Sequence, residues 1–370
     1  MKIALITLHR ITNFGSLLQT YATQSYIEKI GHTVEVIDFV PEGISFKRSV
    51  FPKNNGSIIK KIIKLIPLIF VNGVQFRMVN YFIKKHIHVT NQRFHSYAEL
   101  FENTPEADVY ISGSDQVWNT QNNNPVDDIK AYYLCFAPQG KTKISYAGSF
   151  GKTEFTEIEI SKIKEWLSLY NAISVREDTA LNTLELMGIN NGVHVLDPTF
   201  LLDKDEWMKF CTCKPPKPGY LFVYNLNRNK VLEELSQKIA KQKGLRIVNF
   251  ADTFEFIRKA KNKMFNTPLD FINYIYHADF VVTDSFHGTA FSLNFEKQFI
   301  SLPAPKYNSR LESILRKTKL LNERFVTNVE DGLFFSNKLI DYSQVNQILN
   351  VEREKSRDFL KDMIGSDYDK

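Results

Sequence analysis

KIALITLHRITNFGSLLQTYATQSYIEKIGHTVEVIDF, Lys2 to Phe39, decides the fold class. Its first residues, KIALITL, form an apolar run without alternation, the pattern of a strand buried on both faces. A loop follows from His9 to Gly15. The spacing then predicts a helix over Ser16 to Ile30, stopped by Gly31, and a second strand from Thr33 to Phe39. Strand, loop, helix and strand in that order open a doubly wound parallel sheet.

The same rhythm continues down the chain. Val109–Ser112, Tyr132–Ala137, Lys143–Ser149 and Ala172–Arg176 read as strands, and Glu157–Tyr170 and Asp178–Met187 as helices. Pro198, Pro215, Pro216 and Pro218 mark a passage between domains. A second alternating set has strands at Tyr220–Leu226, Arg246–Phe250, Phe280–Asp284 and Phe299–Leu302. Its helices are expected at Lys230–Lys243, Pro268–His277, Gly288–Phe295 and Arg310–Lys317. A last helix, about Tyr342–Met363, has no strand after it. The reading is an α/β protein of two Rossmann-like domains, 1–190 and 191–340. Residues 341–370 pack across the domains or back on the first.

Bulk properties agree. A chain of 370 residues exceeds what one core usually serves, and 43% hydrophobic with 24% charged residues is an ordinary globular balance. The three cysteines, Cys135, Cys211 and Cys213, are too few for a disulfide framework, which implies a reducing, cytoplasmic setting. The apolar run Ile3–Leu8 is too short for a signal peptide, and no stretch approaches the roughly 20 apolar residues of a membrane span.

The net charge of +6 is local: Gly43–Ala98 holds ten cations and no acid, leaving 37 cations against 41 acids elsewhere. Such a block points to an anionic partner surface rather than to nucleic acid. Within this insertion, about 43–98, Ser57–Ile66 puts isoleucines on one helical face and Lys60, Lys61 and Lys64 on the other. Two readings stand: peripheral contact with an anionic membrane, or a solvated helix whose isoleucines join the first core. Gln75–His86 reads as a second helix.

Ligands of doubly wound sheets sit beyond the carboxyl ends of the strands, and five segments fall there. In NFGSLLQ, Asn13 and Gly15 lead into a helix whose first N–H groups attract anions, or they make a simple capped turn. In ISGSDQVWN, Gly113 permits close backbone approach, Ser114, Asp115 and Asn119 offer hydrogen bonds, and Trp118 offers a face to a sugar; the other reading is a tight turn over a core tryptophan. SYAGSFG, with Ser149, is a small-residue loop or a lining of the cleft. ISVREDTA sets Arg176 at a strand end, placed to clamp a phosphate or carboxylate or to be a solvated helix-start charge. VVTDSFHGTAFSL delivers Asp284, Ser285, His287 and Gly288, and a histidine at a helix start can act as acid, base or phosphate ligand. Walker A, GxSxG, HExxH and GxGxxG patterns are absent.

In this order the five segments resemble the polysaccharide pyruvyl transferase family, from Lys2 to about Arg324. The resemblance implies a fold similar to two-domain, GT-B-like glycosyltransferases with facing halves. It implies phosphoenolpyruvate as donor, with no further cofactor and no metal. The acceptor would be a sugar in a surface polysaccharide or its lipid-linked precursor. The product would be a cyclic ketal across two hydroxyls, with release of phosphate. His287 and Arg176 would be catalytic, and Arg176, Ser285, His287, Gly288 and Gly15 would hold the donor. Asn13, Gly113, Ser114, Asp115, Trp118, Asn119, Ser149 and Asp284 would meet the acceptor or shape the cleft. One departure stands out. Where many members have Arg, an apolar residue and His, this chain has Ser285, Phe286 and His287, losing a permanent charge that Arg310, Lys306 or Arg10 would have to supply. A nucleotide-sugar-dependent glycosyltransferase and a catalytically inactive glycan-binding homologue are the rival readings.

Overall fold

The computed structural model describes residues 1–41, 73–120, 127–251 and 266–365; the basic helix expected at Ser57–Ile66 lies outside them. The chain divides into two compact units, Met1–Leu201 with Lys355–Lys370, and Leu202–Glu354.

The first unit carries five parallel strands, β1 (Lys2–Ile6), β2 (Thr33–Phe39), β3 (Val89–Phe94), β4 (Val109–Ser112) and β5 (Thr142–Ser145), in the order β3-β2-β1-β4-β5. Ile3, Leu5 and Ile6 have no exposed surface, so β1 is covered on both faces, as its unbroken apolar run requires. The helix Phe14–Lys29 follows; Asn13 caps it by accepting from Gly15 N at 2.9 Å. Strand order reverses between β1 and β4, which puts the binding crevice of such a sheet at their carboxyl ends. Beyond β5, bridges Ile144↔Ala172 and Gly148↔Val175 add the pair β6 (Ser174–Val175) and β7 (Val193–His194). This extension, with the short 3-10 turn Pro198–Phe200, carries the first unit past residue 190 to Leu201.

The second unit has four parallel strands, β8 (Tyr220–Asn225), β9 (Arg246–Ala251), β10 (Phe280–Thr283) and β11 (Phe299–Ser301), in the order β11-β10-β8-β9. Its reversal lies between β8 and β10. The long helix Tyr342–Ile364 begins in the second unit and from Lys355 belongs to the first. There Ser356 Oγ accepts from Leu196 N at 2.9 Å, and Leu360 and Ile364 are buried.

One expected strand is absent. Tyr132–Ala137 is the end of a short helix, Ile129–Tyr132, followed by turns. Leu134 takes φ 56°, which no strand accommodates. The segment is apolar because it is buried: Tyr132, Tyr133 and Leu134 lie in the core, and a short apolar run reads alike in either state.

Candidate functional site

Four of the five segments meet at the carboxyl edge of the first unit's sheet. Asp115, just past β4, has φ 76°, a left-handed conformation that a non-glycine residue holds only under constraint. The constraint is visible in its partners. Its carboxylate accepts from Ser16 Oγ and, at 2.9 Å, from Gln116 N. The guanidinium of Arg176 lies 3.6 Å from it.

Arg176, at the end of β6, is buried and faces three carboxylates. Nη1 donates to Asp197 Oδ2 at 2.8 Å, with Asp115 at 3.6 Å and Glu177 at 4.0 Å. Burial works against its charge, but Asp197, Asp115 and Glu177 outweigh it and raise the pKa above the ordinary arginine value. Asp197 also accepts from Ser114 Oγ at 3.3 Å and from Thr199 N and Oγ1 at 3.0 and 2.8 Å. Ser149 Oγ donates to Glu177 Oε1 at 2.7 Å. Thus the strand-end side chains of β4, β5 and β6 are knitted into one polar floor. Its centre is a guanidinium already engaged by protein carboxylates, not one standing open as a donor clamp.

Three other expected roles change. Trp118 has no exposed surface; it stacks on Tyr133 at 5.6 Å and 13°, and packs against Phe150. It is a core residue and offers no face to a sugar. Asn119 is also buried, donating to Gln116 Oε1 at 3.0 Å. Gly113 admits the protein's own chain: a Cβ there would lie 2.9 Å from Thr7 Cβ. Asn13 and Gly15 form the capped start of the first helix, next to Ser16.

The fifth segment lies in the second unit. Asp284, directly after β10, bridges the strand-order reversal: Oδ1 accepts from Leu226 N at 2.8 Å, and Oδ2 from Asn227 N and Nδ2 at 2.9 and 3.0 Å. Burial raises its pKa in spite of these donors. Ser285 is the N-cap of the helix Phe286–Asn294, its side chain accepting from Gly288 N at 3.3 Å. The hydroxyl that stands where an arginine was expected therefore has a local task. Gly288 is required by packing, since a Cβ would lie 2.5 Å from Thr283 Oγ1, which itself donates to Tyr224 O. His287 sits buried in the first helical turn, its ring 5.1 Å from that of Phe286. The guanidinium of Arg310 lies 5.9 Å from the Phe286 ring centroid. Of the cations considered for the missing charge, Arg310 is the one packed at this helix start. Arg10 belongs instead to an ion pair with Asp38 in the first unit.

Sequence reading passed over Asp197. It lies in the proline-marked passage, yet Asp-Pro-Thr is itself a helix-start signature: an acceptor side chain followed by proline in the first turn.

Each unit is thus a Rossmann-like parallel sheet with its polar residues gathered at the carboxyl edge and its strand-order reversal beneath them. Solved structures share this architecture. A Listeria monocytogenes protein described as a UDP-N-acetylglucosamine 2-epimerase aligns over 100% of this chain and 96% of its own, with TM-score 0.55 and 12% identity. The UDP-GlcNAc 2-epimerase of Neisseria meningitidis aligns over 98% and 99%, with TM-score 0.54 and 8% identity. That of Methanocaldococcus jannaschii aligns over 95% and 99%, with TM-score 0.51 and 12% identity. At these identities the likeness is one of fold, the GT-B type. No curated protein matches the chain. Residues 13–304 match the family model of the polysaccharide pyruvyl transferases, and the chain belongs to that family.

Proposed function

We propose that the protein transfers pyruvate from phosphoenolpyruvate onto two hydroxyls of one sugar in a surface polysaccharide or its lipid-linked precursor. The observation that carries this reading is the family match over residues 13–304, which spans the edge loops of both sheets. In the reaction the enol CH2 gains a proton and becomes a methyl group. One sugar hydroxyl attacks the resulting cationic carbon. The carbon–oxygen bond to phosphate breaks, phosphate leaves with the electron pair, and the second hydroxyl closes the ketal. Two hydroxyl protons are released; one balances the proton taken up by carbon and the other leaves with phosphate or solvent.

His287 is assigned as the acid that protonates the enol carbon, supported by its place in the first turn of a helix at the carboxyl edge of β10. The opening N–H groups of that helix and Arg310 would stabilise the phosphate and carboxylate. Arg176 is assigned a positioning role: it fixes Asp115 and Asp197, and Asp115 with Ser114 and Ser149 would orient the acceptor. The test is phosphate release from phosphoenolpyruvate across an acceptor panel, with UDP- and GDP-sugars as rival donors. Acceptor-dependent release that falls at least about a hundredfold in His287→Ala is expected from loss of a general acid. Full activity of that variant would remove the assignment, and turnover of a nucleotide sugar alone would replace the reading.

A further inference from the structure

At the carboxyl ends of β1, β2 and β3 lies a charged group that the proposed chemistry leaves unused. Asp38, near the end of β2, is buried. Its Oδ1 accepts from His9 Nε2 at 3.1 Å and from Arg10 Nε, and its Oδ2 accepts from Arg10 Nη2 at 2.7 Å and Arg93 Nε at 3.0 Å. Arg10 Nη1 donates to Asn80 Oδ1 at 2.6 Å, in the helix 73–86. His9 is held from its other side by Thr7 O at 3.1 Å. One carboxylate between two guanidiniums leaves a surplus positive charge.

The two arginines are used differently. Arg10 is nearly enclosed and all three of its nitrogens have protein acceptors. Arg93 spends only Nε on Asp38, and its side chain is 47% exposed. Among the described residues its two Nη groups have no protein partner. Asp38 therefore holds by its Nε a half-exposed guanidinium whose two Nη groups form a planar fork, beside a second guanidinium. Such a fork matches an oxyanion that accepts two parallel hydrogen bonds. Arg93 also belongs to the stretch Gly43–Ala98, which holds ten cations and no acid.

We propose that this group binds a singly charged oxyanion carried by the acceptor, a sugar carboxylate or a phosphodiester, so that the acceptor is an acidic glycan. The inference rests on the pyruvyl-transfer reading for where the acceptor lies. There the reacting sugar sits over the β1–β4 reversal. From β4 to β2 is two strand spacings, about 10 Å, about the length of a disaccharide. The anion then lies on a neighbouring unit of the acceptor, away from the hydroxyls that react.

Titration calorimetry without phosphoenolpyruvate, at low salt, tests this with three probes: hyaluronan tetrasaccharide for carboxylates, a glycerol phosphate tetramer for phosphodiesters, and neutral maltotetraose. The parent protein is expected to bind one charged probe at least about tenfold more tightly than maltotetraose. Arg93→Gln, at a half-exposed position, should erase most of that preference while the thermal unfolding midpoint stays near that of the parent. Arg93→Lys should keep part of it, since the charge stays and the fork is lost. The favoured probe identifies the anion. Equal binding of charged and neutral probes by the parent, or an unchanged preference in Arg93→Gln, overturns the proposal. Ketal formation is scored separately: acidic-probe binding without ketal leaves the site standing and removes the pyruvyl reading, and ketal formation with no charge preference does the reverse.

Discussion

Asp38 and Arg176 are two of the buried charges at the first unit's carboxyl edge, and they are tested in different ways. Burial opposes ionisation of Asp38, but hydrogen bonds and charge from His9 and Arg10 outweigh it and hold the carboxyl well below the usual range. A depressed folded-state value means its contribution is fully present above the unfolded carboxyl's value of about 4 and is lost as pH falls below it. Asp38→Asn leaves the nearly enclosed Arg10 without its counter-ion and should cost about 3 kcal/mol near neutrality. Urea denaturation of parent and variant from about pH 7 to about pH 3 should show the gap narrowing on the acid side. A gap that is constant with pH would contradict the assignment. For Arg176 the readout is kinetic. Arg176→Lys should raise KM for the acceptor, through a displaced Asp115, and leave KM for phosphoenolpyruvate unchanged. A rise confined to the donor would restore the clamp that the sequence alone invites.

At the scale of elements, the contact of β10 with the helix after it is set by one missing methyl group. Gly288→Ala would press a Cβ to 2.5 Å from Thr283 Oγ1, and overpacking of this kind costs about 1–3 kcal/mol. Chemical denaturation should show that loss together with weaker phosphate binding, because the helix start moves with it. This is also the scale at which the sequence was most and least legible. Lys230–Lys243 and Thr33–Phe39 run as their patterns predict, the first because a long amphipathic run carries a clear period, the second because a short β-branched run follows the helix stop at Gly31. β3 escapes notice because its middle residues, Asn91, Gln92 and Arg93, are exposed on an edge strand and give no apolar pattern. The helix Ile129–Tyr132 escapes because it is short and buried. At the site, small residues and glycines at strand ends correctly mark the carboxyl edge. They do not tell which approach they permit: Gly113 faces Thr7 and Gly148 faces Trp118. Nor does spacing alone bring Asp197 to Arg176, since the contact depends on β7 pairing with β6.

For the whole molecule, the last helix ties the chain's end into its first unit. Phe359, Leu360 and Ile364 are buried, and His32 Nε2 lies 2.6 Å from Gly365 O. Truncation after Glu354 removes three apolar anchors worth about 1.5–3 kcal/mol each. It should lower the midpoint of thermal unfolding and open Met1–Leu201 to proteolysis before Leu202–Glu354. Equal susceptibility of the two units would contradict that account. The chemistry itself is read from one product. With phosphoenolpyruvate and an acidic glycan acceptor in D2O, the expected product is a ketal whose methyl group carries one solvent-derived deuterium, formed with one phosphate per pyruvate and not formed by His287→Ala. A ketal methyl without deuterium, or phosphate release with no ketal, would contradict it.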